Sequence, residues 1–344
     1  MFQNIKKPLL IAELSANHNG SIKNAKALID VAKKNGADAV KLQTYEPSSM
    51  TINKNFKFLK IKDGLWKGKK LWDLYKQAST PFSWQKELFN HAKEKKIFCF
   101  SSVFDRDGVD LLESLKCPLY KIASFEITDL PLIKYVAQTN KPIIISTGMS
   151  DLKEIDEAYN TAYKNGSKKI TLLYCSSNYP STKEDFNLKN IVFLKKRYGC
   201  TVGLSDHSNN NNIAVAAVSL GAQLFEKHIA LKGQKKGPDI EFSLKGNEIS
   251  KYKNDIIEAY EITSNNKFVL KKKQMTYKKF RRSLYIVKDI KKGDVINHKN
   301  IKPLRPHTGV EPKKFFILNN KISKLNLKSG NPLTNKIYRK LIKN

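Results

Sequence analysis

Short apolar runs recur along the first three-quarters of the chain, with longer amphipathic stretches between them. The runs are PLLIAEL (8–14), DAVKLQTY (38–45), IFCFSSVF (97–104), PLYKIAS (118–124), PIIISTG (142–148), ITLLYCSS (170–177), TVGLSDH (201–207) and AQLFEKHIAL (222–231). Several lack polar alternation, the pattern of parallel strands covered on both faces. Helical spacing of apolar residues marks 21–35, 83–95, 107–115, 129–138, 152–164, 187–197, 212–220 and 246–264. Eight strand–helix units over about 265 residues predict a (β/α)8 TIM barrel, with a doubly wound sheet as the alternative.

The runs share a feature at their C-terminal ends. Glu13, Lys41, Ser102, Lys121, Ser124, Ser146, Ser177, Ser205, His207, Glu226 and His228 all stand there. Helix N-capping accounts for a serine or two. It does not account for lysine at two strand ends and histidine at two others. Barrel active sites form at that face, so the pattern predicts an anion site beside a metal site. His207 and His228 end consecutive strands and can converge on one divalent ion; the other reading is two buried, hydrogen-bonded histidines. His18, in the NHNG that follows the first run, reads as part of a tight turn.

Two regions break the repeat. Residues 46–82 are too long for a simple connection and, with the start of the helix that follows, hold all three tryptophans, Trp66, Trp72 and Trp84; long loops in compact domains tend to be functional. Beyond about residue 265 the chain turns polar and basic and then resumes short strand-like runs. The expected division is a barrel over 1–265, a basic linker over 266–282 and a small domain over 283–344.

Composition alters this picture little. The formal charge of +32 invites a nucleic-acid reading, but only six of the 63 basic residues are arginine: Arg106, Arg197, Arg281, Arg282, Arg305 and Arg339. Arginine is the residue that reads bases and phosphates bidentately, and the lysines are scattered along the chain. A basic surface attracting anionic substrates is the better expectation; neither nucleic acid nor membrane is expected as a partner. No apolar run reaches the roughly 18 residues of a membrane span, and MFQNIKKPLLIAEL lacks a signal-peptide pattern. Cys99, Cys117, Cys175 and Cys200 have no metal-finger spacing and read as reduced thiols of a cytoplasmic protein.

The segments ELSANHNG (13–20), KLQT (41–44), KIAS (121–124), STGM (146–149), GLSDH (203–207) and GPD (237–239) together resemble the sialic acid synthase family. The C-terminal segment resembles that family's antifreeze-like (SAF, β-clip) domain, with Arg305-Pro306 at its characteristic position. Such enzymes condense phosphoenolpyruvate with an amino sugar to give a nine-carbon 2-keto acid. Within the family the chain is most similar to the pseudaminic branch. Neuraminate synthases usually carry glycine where Ser15 stands, and GLWKGKKLWDLYKQASTPFSW over 64–84 is a pseudaminic signature. The implied acceptor is 2,4-diacetamido-2,4,6-trideoxy-L-altrose; the neuraminate and legionaminic branches are the alternatives.

The resemblance implies roles position by position. Lys41, Ser102, Lys121, Ser124, Ser146 and Ser205 hold phosphoenolpyruvate. His207 and His228 hold exchangeable Mn2+ or Mg2+. Ser177, Tyr179 and Asp239 meet the sugar, although the family often has asparagine in place of Ser177. Glu13, and after it Glu126, is the carboxylate that stabilises the cationic centre and takes a proton from water. Glu226 and Asp206 orient the others. Trp66, Trp72 or Phe125 cover the sugar's methyl groups. A domain-swapped homodimer is implied, in which Arg305 reaches the partner's sugar. Two further classes stand against this reading: a metal-dependent pyruvate aldolase or sugar epimerase, which releases no phosphate, and a non-catalytic module that binds anionic glycans.

Overall fold

Strand after strand places both faces in the protein interior, as the unbroken apolar runs require. The computed structural model describes residues 5–265 and 267–343. Within them β1 (Leu9–Glu13), β2 (Ala39–Thr44), β3 (Phe98–Val103), β4 (Tyr120–Ile122), β5 (Ile143–Ser146), β6 (Ile170–Cys175), β7 (Thr201–Asp206) and β8 (Leu224–Ala230) pair in parallel in chain order. β8 then pairs back onto β1, from Leu9 opposite Leu224 to Glu13 opposite His228. The sheet is therefore closed, and the doubly wound alternative falls away. A two-residue strand, β9 (Leu244–Lys245), pairs in parallel with β8.

Helices follow from local signals. Asp151 caps Leu152–Lys164 by a reciprocal capping box with Glu154, two backbone donors satisfied at once. The helix Ile22–Lys34 buries Ala25, Leu28, Ile29 and Ala32, one stripe at helical spacing. Each large aliphatic side chain so buried contributes about 1.5–3 kcal/mol. On the wall of the barrel facing the helices, Lys227 and Asp206 form a buried pair at 3.5 Å. Tyr252 of the last barrel helix, Glu248–Thr263, donates its hydroxyl to the same Asp206 oxygen at 3.0 Å. The two-residue period of a strand thus sends Lys227 away from the site that its neighbours Glu226 and His228 face.

The connection at 46–82 is built rather than slack. It contains the helix Leu71–Ala78 and an antiparallel bridge between Lys60 and Lys70. The chain divides into two compact units, Met1–Ser264 and Asn265–Asn344. The second has its own core, with Leu284, Ile286, Ile301, Leu333 and Tyr338 among its members. There β10 (Ser283–Ile286) runs antiparallel to β11 (Ile301–Leu304). Part of the stretch expected as a linker is helical, Lys272–Thr276. The expected first residue of that linker and the outermost residues of the two expected domains lie outside the described residues. No helix among the described residues is long and apolar enough to cross a membrane.

Candidate active site

The C-terminal ends of the strands open into one cavity of about 450 Å³. Four charged side chains, all buried, form its floor: Glu13, Lys41, Lys121 and Glu226. Lys41 Nζ lies 2.7 Å from Glu13 Oε2 and 3.7 Å from Glu226 Oε1. Lys121 Nζ lies 3.3 Å from the same Glu226 oxygen. Lys41 also donates to Ser102 Oγ at 2.8 Å, and Ser205 Oγ donates to Glu226 Oε1 at 3.2 Å. A lone lysine could not stay charged at this depth; the alternating pairs are what make it tolerable.

The electrostatics follow from this packing. Burial pushes the Glu13 carboxyl up to about 7, against the pull of Lys41. Burial also works against charge on Glu226, but Lys121 and Lys41 outweigh it and draw that carboxyl down to about 2. Lys41 is opposed by burial too, and its two carboxylate neighbours hold it above the ordinary lysine range. Burial brings Lys121 below that range, with Glu226 opposing.

Hydroxyls ring this floor. Ser146 Oγ is buried and has no hydrogen-bond partner among the described residues. Ser124 Oγ accepts from the Gly148 N–H at 3.2 Å. A Cβ on Gly148 would come 1.8 Å from Ser177 Oγ and 2.8 Å from Ser124 Oγ, so a side chain there would have to turn both hydroxyls aside. Glu126 ends the short helical turn that follows β4 and lines the cavity. Its Oε2 is buried without a partner among the described residues, and burial pushes its carboxyl up to about 7.

Across the cavity stand the two histidines, ring centroids 5.2 Å apart and packed on Phe242. Asp206, on the outer face of β7, accepts the Ser208 N–H at 2.8 Å and so fixes the backbone beside His207. Burial, reinforced by the His207 ring, holds His228 well below the ordinary histidine range, which leaves it neutral, the ligand form. His228 Nδ1 is buried with no hydrogen-bond partner among the described residues, 3.7 Å from Asp239 Oδ2. Cys175 Sγ lies 3.6 Å from His207 Nδ1; burial pushes its thiol up, but the His207 imidazole outweighs it and leaves the thiol at about 7. Among the described residues no three His, Cys, Asp or Glu side chains form a metal-holding group. Two imidazoles, of which His228 is kept neutral by burial and carries an orphaned nitrogen, fit a weakly held ion whose other positions come from water or substrate.

The remaining wall is apolar and comes from the long connection. Met50, Ile61, Trp66, Leu71, Leu74 and Tyr75 line it. Trp66 Nε1 donates to the Pro238 carbonyl at 3.0 Å, and its ring lies 5.7 Å from that of Tyr179. Phe125 lines the cavity too, whereas Trp72 does not.

Most residues singled out in the sequence therefore meet here: Lys41, Ser102, Lys121, Ser124, Glu126, Ser146, Tyr179, Ser205, His207, His228 and Asp239 all line the cavity. Glu13 lies beneath it, and Ser177 stands behind Gly148. Arg305 belongs to the second unit. His18 is held in its turn, accepting the Gly20 N–H at Nδ1 with Thr80 at Nε2. Sequence reasoning gave no role to Cys175, Tyr45 or Tyr75, which also line the cavity. Leu71, Leu74, Tyr75 and Ala78 form an i, i+3, i+4, i+7 stripe on one helix, a signal that could have placed Tyr75.

Residues 28–267 match the NeuB family and residues 281–336 match the SAF domain. The chain is 40% identical to a pseudaminic acid synthase of Campylobacter jejuni over 332 residues, 96% of this chain and 97% of that protein. An N,N'-diacetyllegionaminic acid synthase of the same species is 37% identical, covering 94% of this chain and 98% of that one. Among solved structures, an N-acetylneuraminic acid synthetase of Leptospira borgpetersenii in complex with citrate superposes with a TM-score of 0.72 at 27% identity, over 80% of this chain and 93% of that one.

Proposed function

The chain belongs to the NeuB family, and from that premise we propose that it is an enzyme that makes pseudaminic acid. Its substrates are phosphoenolpyruvate, 2,4-diacetamido-2,4,6-trideoxy-L-altrose and water; its products are pseudaminic acid and phosphate. The observation that carries this is the floor of the cavity. Two buried lysines there are paired with carboxylates rather than bound to backbone, so an incoming trianion finds fixed positive charge already desolvated.

Lys41 and Lys121 take the phosphate and carboxylate of the donor, with Ser102, Ser124, Ser146 and Ser205 adding hydroxyls around them. C3 of the enol attacks the sugar aldehyde carbon, whose oxygen takes the π pair and then a proton to become the new hydroxyl, and the new carbon–carbon bond leaves a cationic centre at C2. Water adds there and gives up its proton to a carboxylate; the hemiketal phosphate then loses phosphate by C–O cleavage. Glu126, which faces the cavity, suits the proton transfer better than Glu13, which lies under Lys41 and holds it. His207 and His228 would bind Mn2+ or Mg2+, which when present polarises the aldehyde oxygen. Asp239 and Tyr179 orient the sugar, and Ser177 shapes the wall at Gly148. Trp66 and Phe125, with Ile61 and Leu74, cover the methyl groups of a 6-deoxy, bis-acetamido sugar. Such a reaction draws on cytoplasmic phosphoenolpyruvate. A legionaminic acid synthase is the second reading, favoured by the relative of that name.

The deciding assay offers phosphoenolpyruvate with each candidate sugar, before and after chelation, and reads phosphate and product mass. The L-altrose substrate should give the highest kcat/KM, chelator should abolish turnover and Mn2+ should restore it. Preference for the legionaminic precursor would replace the sugar assignment; no phosphate with any sugar would end the synthase reading. Full turnover by metal-free protein would remove the metal from it.

We extend the reading to a domain-swapped homodimer in which Arg305 of one chain serves the partner's sugar site, as the family resemblance implies. Arg305→Ala and His207→Ala chains should each be nearly inactive. Co-expressed, they should recover about a quarter of wild-type activity, since half the dimers are mixed and half of their sites intact. Inactive mixed dimers would place the arginine in cis or outside the site.

A further inference from the structure

Ser15 stands two residues past the end of β1, with φ at 45°. That is the left-handed region, where glycine is the default and other residues are strained. Its side chain is buried and lines the cavity. The Ser15 N–H donates to Glu13 Oε1 at 2.9 Å, and its hydroxyl donates to Asp239 Oδ2, a residue of the loop beyond β8. Gln43 Nε2, from the end of β2, donates in turn to the Ser15 hydroxyl oxygen at 3.4 Å. One strained serine therefore joins a floor carboxylate to a wall carboxylate.

Strain kept at a cavity wall points to a function for the side chain that keeps it. Glycine would hold the same backbone without strain, and alanine would keep the strain without the bond. What serine alone supplies is the hydroxyl on Asp239. We propose that Ser15 is a positioning residue for the acceptor sugar. Its hydroxyl occupies one face of the Asp239 carboxylate and fixes the orientation in which the remaining lone pairs meet sugar hydroxyls. This rests on the reading above that Asp239 binds the sugar.

The test compares Ser15→Gly, Ser15→Ala and Asp239→Asn with their double variants. Ser15→Gly should unfold at a urea concentration no lower than Ser15→Ala, because the backbone is eased. Its kcat/KM for the sugar should nonetheless fall roughly tenfold to hundredfold, the usual weight of a hydrogen bond to a charged group. KM for phosphoenolpyruvate should stay within about twofold. In the Asp239→Asn background the same substitution should change sugar kcat/KM less than about threefold, because the serine acts through that carboxylate. Undiminished sugar kcat/KM in Ser15→Gly, or an equal loss on top of Asp239→Asn, would overturn the proposal. If the wild type turns over no sugar of the panel, the functional reading fails by itself. The Ser15–Asp239 coupling is then read from urea unfolding of Ser15→Ala, Asp239→Asn and their double variant. Non-additive effects support it and additive ones overturn it.

Discussion

Lys121→Met should lower kcat/KM for phosphoenolpyruvate by roughly 10²–10⁴-fold, the scale of breaking a buried, hydrogen-bonded ion pair that also binds a charged ligand. Methionine keeps the length of the side chain and removes its charge. Above about pH 7, where Glu13 is ionised, the two ammonium groups and two carboxylates of the floor balance in wild type. Without Lys121, Glu226 keeps only Lys41 at 3.7 Å, which already serves Glu13 at 2.7 Å. The floor then carries excess negative charge where a trianion must bind, so the substrate loses a contact and meets repulsion together. Folding should suffer as well, because Glu226 is left poorly compensated at 4% exposure. The double variant Lys121→Met/Glu226→Gln separates the two effects. It should regain much of the urea stability, since the buried negative charge is gone, while kcat/KM stays low, since the cation that meets the substrate is still missing. A single variant whose kcat/KM stays within about threefold of wild type would show that this lysine does not hold the donor.

What made this floor legible in advance was the conflict between residue type and setting. Lysine inside an apolar strand end is expensive, so DAVKLQTY and PLYKIAS pointed to a ligand before any geometry was known. The barrel was legible for a related reason. Strands covered on both faces carry no alternation, and eight such runs separated by helical patterns leave few ways to be buried. Contacts that depend on closure were out of reach. Ser15 and Asp239 lie 224 positions apart, and only the pairing of β8 back onto β1 joins them. The ranking of Glu13 above Glu126 rested on motif position alone; depth below Lys41 is a property of the closed barrel. Cys175 reads in the sequence as one more reduced thiol because its neighbour His207 comes from the next strand. Trp66 and Trp72 were equivalent in the sequence. The helix Leu71–Ala78 turns Leu71, Leu74 and Tyr75 inward and leaves Trp72 off the cavity wall.

Glu126→Gln should cost roughly 10²–10⁴-fold in kcat, the range of a lost general base, with KM for phosphoenolpyruvate little changed. The carboxyl follows Lys121 by five residues, so one strand end supplies both an anion ligand and a base. Its Oε2 has no partner among the described residues, which leaves a lone pair for water. The pH dependence carries the sharper test. Burial pushes both Glu126 and Glu13 up to about 7, so each is progressively protonated as pH falls through that value. A protonated Glu126 cannot accept a proton, and kcat should fall about tenfold per unit on the acid side. A protonated Glu13 no longer neutralises Lys41, so the donor should bind more tightly over the same interval. From pH 8 to 6, kcat and the phosphoenolpyruvate KM should therefore fall together. Initial rates across that range would separate the two carboxylates. Glu126→Gln should flatten the kcat limb and keep the KM trend; Glu13→Gln should flatten the KM trend and keep the limb. The opposite assignment of the two limbs would return the base to Glu13, and the burial of that residue beneath Lys41 would then have to open during turnover.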